Sequence, residues 1–273
     1  MNSFKAIVTD LDGTLLNSES KVGVLDTETL IRLKHKGLII IIATGRSIFS
    51  FKRVIPEGFP ADWLIFDAGA GIMDLKTGEL FFSSFMTRQE VREIAAKLTE
   101  LQLDFQIRNR IPDSHLYFYK KFGSFNPDFD RINEIYKAYN RELESIDELS
   151  ESSRIISIAS DDGIVDIIEK EFSEYSIIRA TSPVDYKSVW MEIYPKGINK
   201  GSALRLLCSE LNLKLSEVIG FGNDYNDVHF LDIVGDAYLV SNSPEALTGN
   251  YKKTASNNDN PLNEILKGFS VGS

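Results

Sequence analysis

Apolar residues along the 273-residue chain fall into short runs separated by stretches of helical periodicity. Ala6-Ile7-Val8-Thr9 is a strand pattern that ends at Asp10. Leu38-Ile39-Ile40-Ile41-Ile42-Ala43 follows Gly37, a good helix stop, and is apolar throughout, as is Trp63-Leu64-Ile65-Phe66. A strand without polar alternation is buried on both faces, which places it inside a parallel sheet covered on both sides. The segment Thr27 to Lys36 reads as a helix, and strand, helix, strand in that order predicts a doubly wound α/β sheet.

The middle of the chain has a different rhythm. Val91, Ile94, Ala95, Leu98 and Leu101 share one face of a helix predicted over Gln89 to Leu101. Leu116-Tyr117-Phe118-Tyr119 and Ile155-Ile156-Ser157-Ile158 predict strands. Ile132, Ile135, Tyr136 and Tyr139 mark a second helix, and Val165, Ile168 and Phe172 a third. Tyr117, Phe118 and Tyr119 alternate across their strand, so part of the aromatic cluster they form with Phe122 belongs to a core. The stretch from Ser83 to Lys187 thus has enough elements for a small α/β domain of its own. The first rhythm then resumes. Lys200 to Leu211 is amphipathic, Glu217-Val218-Ile219-Gly220-Phe221 is a strand that ends at Gly222-Asn223-Asp224, and Ala237-Tyr238-Leu239-Val240 is a further strand. The expected organisation is one sheet domain built from residues 1–82 and 188–273, with a smaller α/β domain, residues 83–187, inserted. The C-terminal residues 268–273 are expected to fray.

Composition narrows the function classes. Hydrophobic residues at 43% and charged residues at 26% fit a soluble globular protein with a substantial core. The net charge of -10 disfavours nucleic acid and anionic membranes as partners, and any anionic ligand must be met by a local cation. No run is long enough to span a membrane and the N-terminal residues lack a signal-type apolar stretch, so a cytoplasmic location is expected. Cys208, the single cysteine, lies in an apolar helical run and reads as a buried inert thiol rather than a nucleophile. His35, His115 and His229 are scattered and form no zinc pair.

Four groups of chemistry-bearing residues sit at or just past the carboxyl ends of predicted parallel strands, the edge where open α/β sheets bind ligands. Asp10-Leu11-Asp12-Gly13-Thr14 brings two carboxylates to that edge. One can act as a nucleophile or bind Mg²⁺, and the other can move protons. Thr44-Gly45-Arg46 offers a hydroxyl and backbone amides to a phosphoryl oxygen. Lys200 stands at a helix start, where the dipole favours anions, so an anionic partner would explain it. Gly222-Asn223-Asp224-Tyr225-Asn226-Asp227 supplies oxygen side chains at 223, 224 and 227 that suit a hard cation. Each group also has an ordinary explanation: an Asp-Gly turn, a helix cap by Thr44 or Ser47, a solvated lysine, an Asx-rich cap. All four together, in this order and each after a strand, argue for a site.

In these segments the chain resembles the haloacid dehalogenase superfamily, specifically its Cof-like sugar-phosphate phosphatases, over nearly its whole length. Asp10 to Thr14, Thr44 to Arg46, Lys200 and Gly222 to Asp227 are similar to that family's four motifs in order, and Glu192-Ile193-Tyr194-Pro195 leading to Asn199-Lys200-Gly201 is similar to the Cof-like pattern. The resemblance implies a Rossmann-like core with an inserted α/β cap. It implies a Mg²⁺-dependent hydrolase of small phosphorylated metabolites, sugar phosphates foremost, working through an aspartyl-phosphate. Asp10 would attack phosphorus. Asp12 would protonate the leaving oxygen and then take a proton from water. Thr44, Gly45 and Lys200 would hold phosphoryl oxygens. The Asp10 carboxylate and Asp12 carbonyl would bind Mg²⁺ with Asn223 and Asp227, and Asp224 would join them or support them from behind. Arg46, Arg108 and Arg110 are candidate substrate contacts, although Arg108 and Arg110, flanking Asn109 in an expected loop, read first as solvated surface arginines.

Two positions depart from the family pattern. Asn223 and Asp224 stand where the family usually has Asp and often Asn, which removes one charge from the metal site. Ala68-Gly69-Ala70 stands where Asn-Gly-Ala is frequent, so a side-chain hydrogen bond is lost at Ala68. Asp12 itself argues against dehalogenation, because expelling a halide needs no acid there. A phosphotransferase or mutase would use the same residues, and a non-catalytic sensor of a phosphorylated ligand is a third reading, motivated by Asn223 alone. The cap is expected to open and close on hinges near Ser83 and Lys187. A monomer or weak dimer is expected.

Overall fold

The computed structural model of the protein describes residues 4–123, 125–159, 163–182 and 188–269. The expected hinge at Lys187 and the last four residues of the expected frayed end lie outside these. The chain divides into two compact units: residues 1–46, 50–82 and 199–273 form the first, and residues 47–49 with 83–198 the second.

In chain order the elements are β1 (Ala6–Thr9), α1 (Val24–His35), β2 (Ile39–Ala43), α2 (Ile48–Lys52), β3 (Trp63–Phe66), β4 (Gly71–Asp74) and β5 (Leu80–Ser83). There follow α3 (Arg88–Glu100), β6 (Phe105–Asn109), β7 (Tyr117–Lys120), α4 (Pro127–Ile135), β8 (Asn140–Glu142), β9 (Ser152–Ala159), α5 (Gly163–Glu171), β10 (Ser176–Thr181) and β11 (Val189–Tyr194). The chain closes with α6 (Lys200–Glu210), β12 (Val218–Gly222), α7 (Val228–Leu231), β13 (Asp236–Val240), β14 (Lys252–Thr254) and α8 (Pro261–Leu266).

The first unit is built on an eight-stranded sheet in the order β14-β13-β12-β1-β2-β3-β4-β5. Neighbours from β14 to β3 pair in parallel, and β4 returns antiparallel on β3. β1, apolar but for Thr9, and the all-apolar β2 are buried along almost their full length, as their lack of alternation requires. Ala6, Val8, Ile41, Ala43 and Ile65 pack on Leu204, Leu207 and Cys208 of α6 and on Phe230 of α7. Strand order reverses around β1, between β12 and β2, and so the first, second and fourth motifs leave the same sheet edge side by side.

The second unit is a six-stranded sheet, β10-β11-β9-β6-β7-β8. One face carries the apolar stripes of α3 and α5 (Val91, Ile94, Leu98, Ile164 and Ile168) against Phe105, Ile107, Ile155 and Met191. On the other, Phe129 and Ile132 of α4 meet Ile156, Ile158 and Trp190. Phe118 joins the first cluster and Tyr119 borders the second, as the alternation of this strand requires.

Two readings of the chain are corrected. The second helix ends at Ile135, short of Tyr136 and Tyr139. The Tyr139 carbonyl instead accepts from the Tyr117 amide at 3.0 Å, and this edge bond draws the chain out of the helix and into β8. Arg108 is neither in a loop nor at the surface. It lies in β6 and is 4% exposed, with its guanidinium 3.8 Å above the Tyr117 ring and donating to Gln106 Oε1 at 2.5 Å. Phe105 and Ile107 alternate with Gln106 and Arg108, a strand pattern too short and too polar on one face to stand out. Arg110 keeps a surface character: it pairs with half-exposed Glu151 at 2.6 Å and lies over the Phe85 ring.

Candidate active site

Asp10 follows the last residue of β1, and its amide donates to the Phe221 carbonyl of β12 at 2.9 Å, which fixes the carboxylate at the sheet edge. Gly13 then turns the chain with φ of 77°, a left-handed conformation that suits glycine, and a β-carbon there would lie 2.6 Å from Asn223 Nδ2. Lys200 is the first residue of α6. Asn199 caps the helix by accepting from the Ser202 amide, and the Ser202 hydroxyl accepts from the Asn199 amide in return. The lysine is fully buried, and its ammonium donates to Asp10 Oδ1 and Asp227 Oδ1, each at 2.7 Å, with Asn226 Oδ1 at 3.4 Å. The anionic partner that its helix position called for is therefore a pair of carboxylates.

Two carboxylates share one ammonium, and this bears on the protonation of Asp10 and Lys200. Burial and the Asp227 charge push Asp10 up to about 8, against the downward pull of Lys200. Burial alone would lower Lys200, but Asp10 and Asp227 outweigh it and raise its pKa, so the lysine stays charged.

Asp227 commits both oxygens to the protein. Oδ1 takes Lys200, and Oδ2 takes the amides of Asn223 at 2.8 Å and Asp224 at 3.1 Å. Its visible work is to fold the turn and hold the lysine. Asp224 Oδ1 accepts from the Tyr225 amide at 2.8 Å, the Asx cap weighed above as the ordinary explanation. Asp12 is gripped on both oxygens by Arg46, Nη2 to Oδ1 at 2.6 Å and Nε to Oδ2 at 2.8 Å, while Arg46 Nη1 reaches Ser50 Oγ at 2.9 Å. Arg46, expected as a substrate contact, here orients the expected acid–base group. Thr44 is buried, and its hydroxyl accepts from the Arg46 amide at 3.1 Å, so part of its role is the local turn.

Next to this cluster Asn223 fills a socket of oxygens. Turned with its nitrogen inward, the amide donates to Thr14 Oγ1 at 3.1 Å, Asp10 Oδ2 at 3.1 Å and the Asp12 carbonyl at 3.0 Å. Turned with its oxygen inward, it accepts from the Thr14 hydroxyl at 3.1 Å and brings a third oxygen up to those of Asp10 and Asp12. That spacing tests the fit of a cation. Adjacent ligands on an octahedral Mg²⁺ with bonds of about 2.1 Å lie roughly 3.0 Å apart. Carboxylate, carbonyl and amide oxygens at 3.0–3.1 Å from the Asn223 position meet that spacing and are the hard donors Mg²⁺ prefers. Among the described residues no group of three or more His, Cys, Asp or Glu side chains is arranged to hold a metal, so this mixed oxygen set is the candidate.

Reading along the sequence missed two contributors. Asn226 contacts Lys200, and exposed Asn242 donates to the Gly13 carbonyl at 2.9 Å. Asn226 stood inside a recognised segment. Nothing local marks Asn242, whose partner lies 229 residues away.

The chain is similar to known proteins over most of its length. Residues 7–266 match the family model of haloacid dehalogenase-like hydrolases. The chain is 23% identical over 235 residues to an HMP-PP phosphatase of Escherichia coli, covering 86% of this chain and 83% of that protein. It is also 25% identical over 255 residues to a chloroplastic endoribonuclease YBEY of Arabidopsis thaliana, covering 89% of this chain but only 42% of the length of that protein. A solved subclass IIB sugar phosphatase of the superfamily superposes with a TM-score of 0.76 at 19% identity, covering 98% of this chain and 100% of that one. The chain belongs to the haloacid dehalogenase-like hydrolases.

Proposed function

We propose that this enzyme is a Mg²⁺-dependent phosphomonoester hydrolase that forms an aspartyl-phosphate on Asp10, with sugar phosphates as its first substrate class. The observation that carries the reading is the fully buried Lys200 between Asp10 and Asp227, beside the oxygen socket of Asp10, Asp12 and Asn223. A structural ion pair gains little from being set at a sheet edge next to a cation-sized cluster of oxygens. A nucleophile that must approach an anionic phosphoryl group needs a cation beside it, and Lys200 supplies one.

Mg²⁺ held by the Asp10 carboxylate, the Asp12 carbonyl and Asn223 would favour the ionised form of Asp10 and draw charge from a phosphoryl oxygen. Lys200 offsets the repulsion between the Asp10 carboxylate and the incoming phosphoryl group, and Asp227 keeps the lysine charged and in place. The Asp10 oxygen attacks phosphorus as the bond to the leaving oxygen breaks, and Asp12 delivers a proton to that oxygen. To deliver it, Asp12 must carry a proton on the oxygen that faces the substrate, so one of its two bonds to Arg46 is released and the other keeps the carboxyl oriented. Asp12 then takes a proton from the water that hydrolyses the acyl phosphate. Thr44 and Gly45 are proposed to donate to phosphoryl oxygens. Asp224 supports the turn, and Asp227 holds Lys200 rather than the metal. The inserted unit is proposed to select the substrate, with Arg108 and Arg110 as the residues to vary first. The proposed setting is a cytoplasmic monomer or weak dimer.

Sugar phosphates are put first because a sugar phosphatase shares the fold. The name of the Escherichia coli relative extends the panel to HMP-PP. The test is phosphate release from sugar phosphates, nucleotides, pyridoxal phosphate and HMP-PP, with wild type beside Asp10→Asn and with Mg²⁺ beside EDTA. Turnover lost by at least about 10³-fold in Asp10→Asn, and lost in EDTA, is the expected result. Turnover that survives Asp10→Asn refutes the nucleophile, and turnover that survives EDTA refutes the metal.

A further inference from the structure

We infer that Asn223 is a two-position amide plug. It closes the cation socket in the metal-free protein by hydrogen bonding through nitrogen, and it opens the socket by rotating its amide so that the oxygen becomes a ligand. This rests on the Mg²⁺ reading above and concerns a residue at which the chain departs from its family.

The argument starts from what each side chain can do at 3.0–3.1 Å from Asp10 Oδ2 and the Asp12 carbonyl. The Asp12 carbonyl is always an acceptor, Asp10 Oδ2 is one whenever the carboxylate is ionised, and Asp10 is nearly fully buried. Without a cation, a group that places oxygen against them leaves lone pairs facing one another in a low dielectric. An aspartate there would add a second charge about 3 Å from a carboxylate, and two carboxylates so close cannot both stay ionised. An amide escapes this, because its two ends are nearly isosteric and of opposite polarity. Nitrogen inward, its two N–H groups face three acceptors, Asp10, the Asp12 carbonyl and Thr14, and share their donation among them. Oxygen inward, it presents an oxygen at 3.0–3.1 Å from Asp10 Oδ2 and the Asp12 carbonyl, the spacing of adjacent Mg²⁺ ligands. Thr14 tolerates either state, because a hydroxyl can accept from the nitrogen or donate to the oxygen. Gly13 leaves the space that the outward end occupies, since a β-carbon would stand 2.6 Å from it.

The metal-free site is therefore stabilised by the same side chain that later serves as ligand. Mg²⁺ must displace those hydrogen bonds to bind, and it gains a neutral ligand instead of a charged one. Its affinity is correspondingly lower than an aspartate at this position would give.

The experiment uses the full chain as wild type, Asn223→Asp and Asn223→Ala. Melting temperature is measured in EDTA and across a Mg²⁺ titration, Mg²⁺ binding is measured by calorimetry, and side-chain amide exchange is followed by ¹⁵N NMR. Both variants are expected to melt lower than wild type in EDTA. Asn223→Asp should bind Mg²⁺ about ten-fold or more tightly than wild type, and Asn223→Ala more weakly. The Asn223 amide protons, assigned by their absence in either variant, should exchange slowly in EDTA and faster with Mg²⁺. Wild type that binds Mg²⁺ while both variants melt unchanged in EDTA overturns the inference and leaves the proposed function standing, as does amide exchange indifferent to Mg²⁺. Wild type that binds no Mg²⁺ at millimolar concentration overturns both. If Asn223→Asp fails to fold, Asn223→Ala and the wild-type amide exchange decide alone.

Discussion

Arg46 and Asp12 form a two-toothed ion pair that is only partly buried, with side chains 21% and 35% exposed. An exposed pair of this kind is worth ~0–1 kcal/mol of stability. Its value lies in geometry, since the planar fork holds both carboxylate oxygens in one orientation. Arg46→Lys keeps the charge and loses the fork. It is expected to lower kcat about ten-fold or more with little change in KM. The melting temperature should stay within ~2 °C of wild type. Steady-state kinetics beside a thermal melt check this, and an unchanged kcat would remove Arg46 from the orienting role.

Gly69 shows how one residue joins two distant segments. Its φ is 108°, and a β-carbon would fall 2.3 Å from the Asn199 carbonyl oxygen and 3.0 Å from the Lys200 amide nitrogen. Gly69→Ala must therefore both strain the backbone and push back the start of α6, which carries the site lysine. The expected loss is ~2–3 kcal/mol by urea unfolding, with activity falling further than stability accounts for at permissive temperature. A variant as stable and active as wild type would show that the loop and the helix do not meet this closely.

Among the elements, α8 is held at both ends by α1. Asp26 of α1 accepts from the Asn263 amide at 2.7 Å near the start of α8, and Arg32 donates to the Leu266 carbonyl at 2.7 Å at its end. These are the favourable senses for each terminus of a helix. Burial nevertheless raises Asp26 to about 6, against the lowering effect of the Asn263 and Leu262 amides. The folded carboxyl binds a proton more readily than the unfolded one, at 3.8. This contribution to stability is therefore full below pH ~4 and is lost as pH rises through ~6, by at most ~3 kcal/mol. Asp26→Asn keeps an acceptor and removes the titration. Relative to wild type it should gain stability between pH 5 and pH 8, measured by urea unfolding at both. An identical difference at the two pH values would mean that Asp26 keeps an ordinary carboxyl pKa.

At the scale of the whole molecule, the charge of -10 works against an anionic substrate, and the attraction comes from a buried lysine with little reach. Salt screens the long-range repulsion more than the short contact. Raising ionic strength from ~0.01 to ~0.15 M is therefore expected to increase kcat/KM about two-fold for a dianionic sugar phosphate and to leave kcat unchanged. A fall in kcat/KM would mean that a local positive field outweighs the net charge.

The sequence by itself determined the class of fold and the addresses of the site. Uniformly apolar runs such as Ile39–Ala43 have one stable setting, inside a covered parallel sheet, and a polar group just past such a run must emerge at the sheet edge. Asp10, Thr44 and Asn223 are placed by that rule together with family resemblance, and Lys200, which follows no strand of the parallel sheet, by the resemblance alone. Other features had no local signature. Arg108 looked like a surface residue because β6 is short and half polar, and Tyr136 and Tyr139 kept a helical spacing that the sheet-edge bond of Tyr139 overrode. Only tertiary structure decided what each site group touches. Lys200 is charged and buried because Asp10 and Asp227 come to it across 190 and 27 residues. Asp12 is gripped by an arginine once read as a substrate contact, and Asn242 braces Gly13 from the far end of the chain. Hydrophobic periodicity is a property of neighbours in sequence, and it survives in the reading of a single chain. Hydrogen bonds and ion pairs form between groups that the fold makes neighbours, so their partners follow only when the chain has closed.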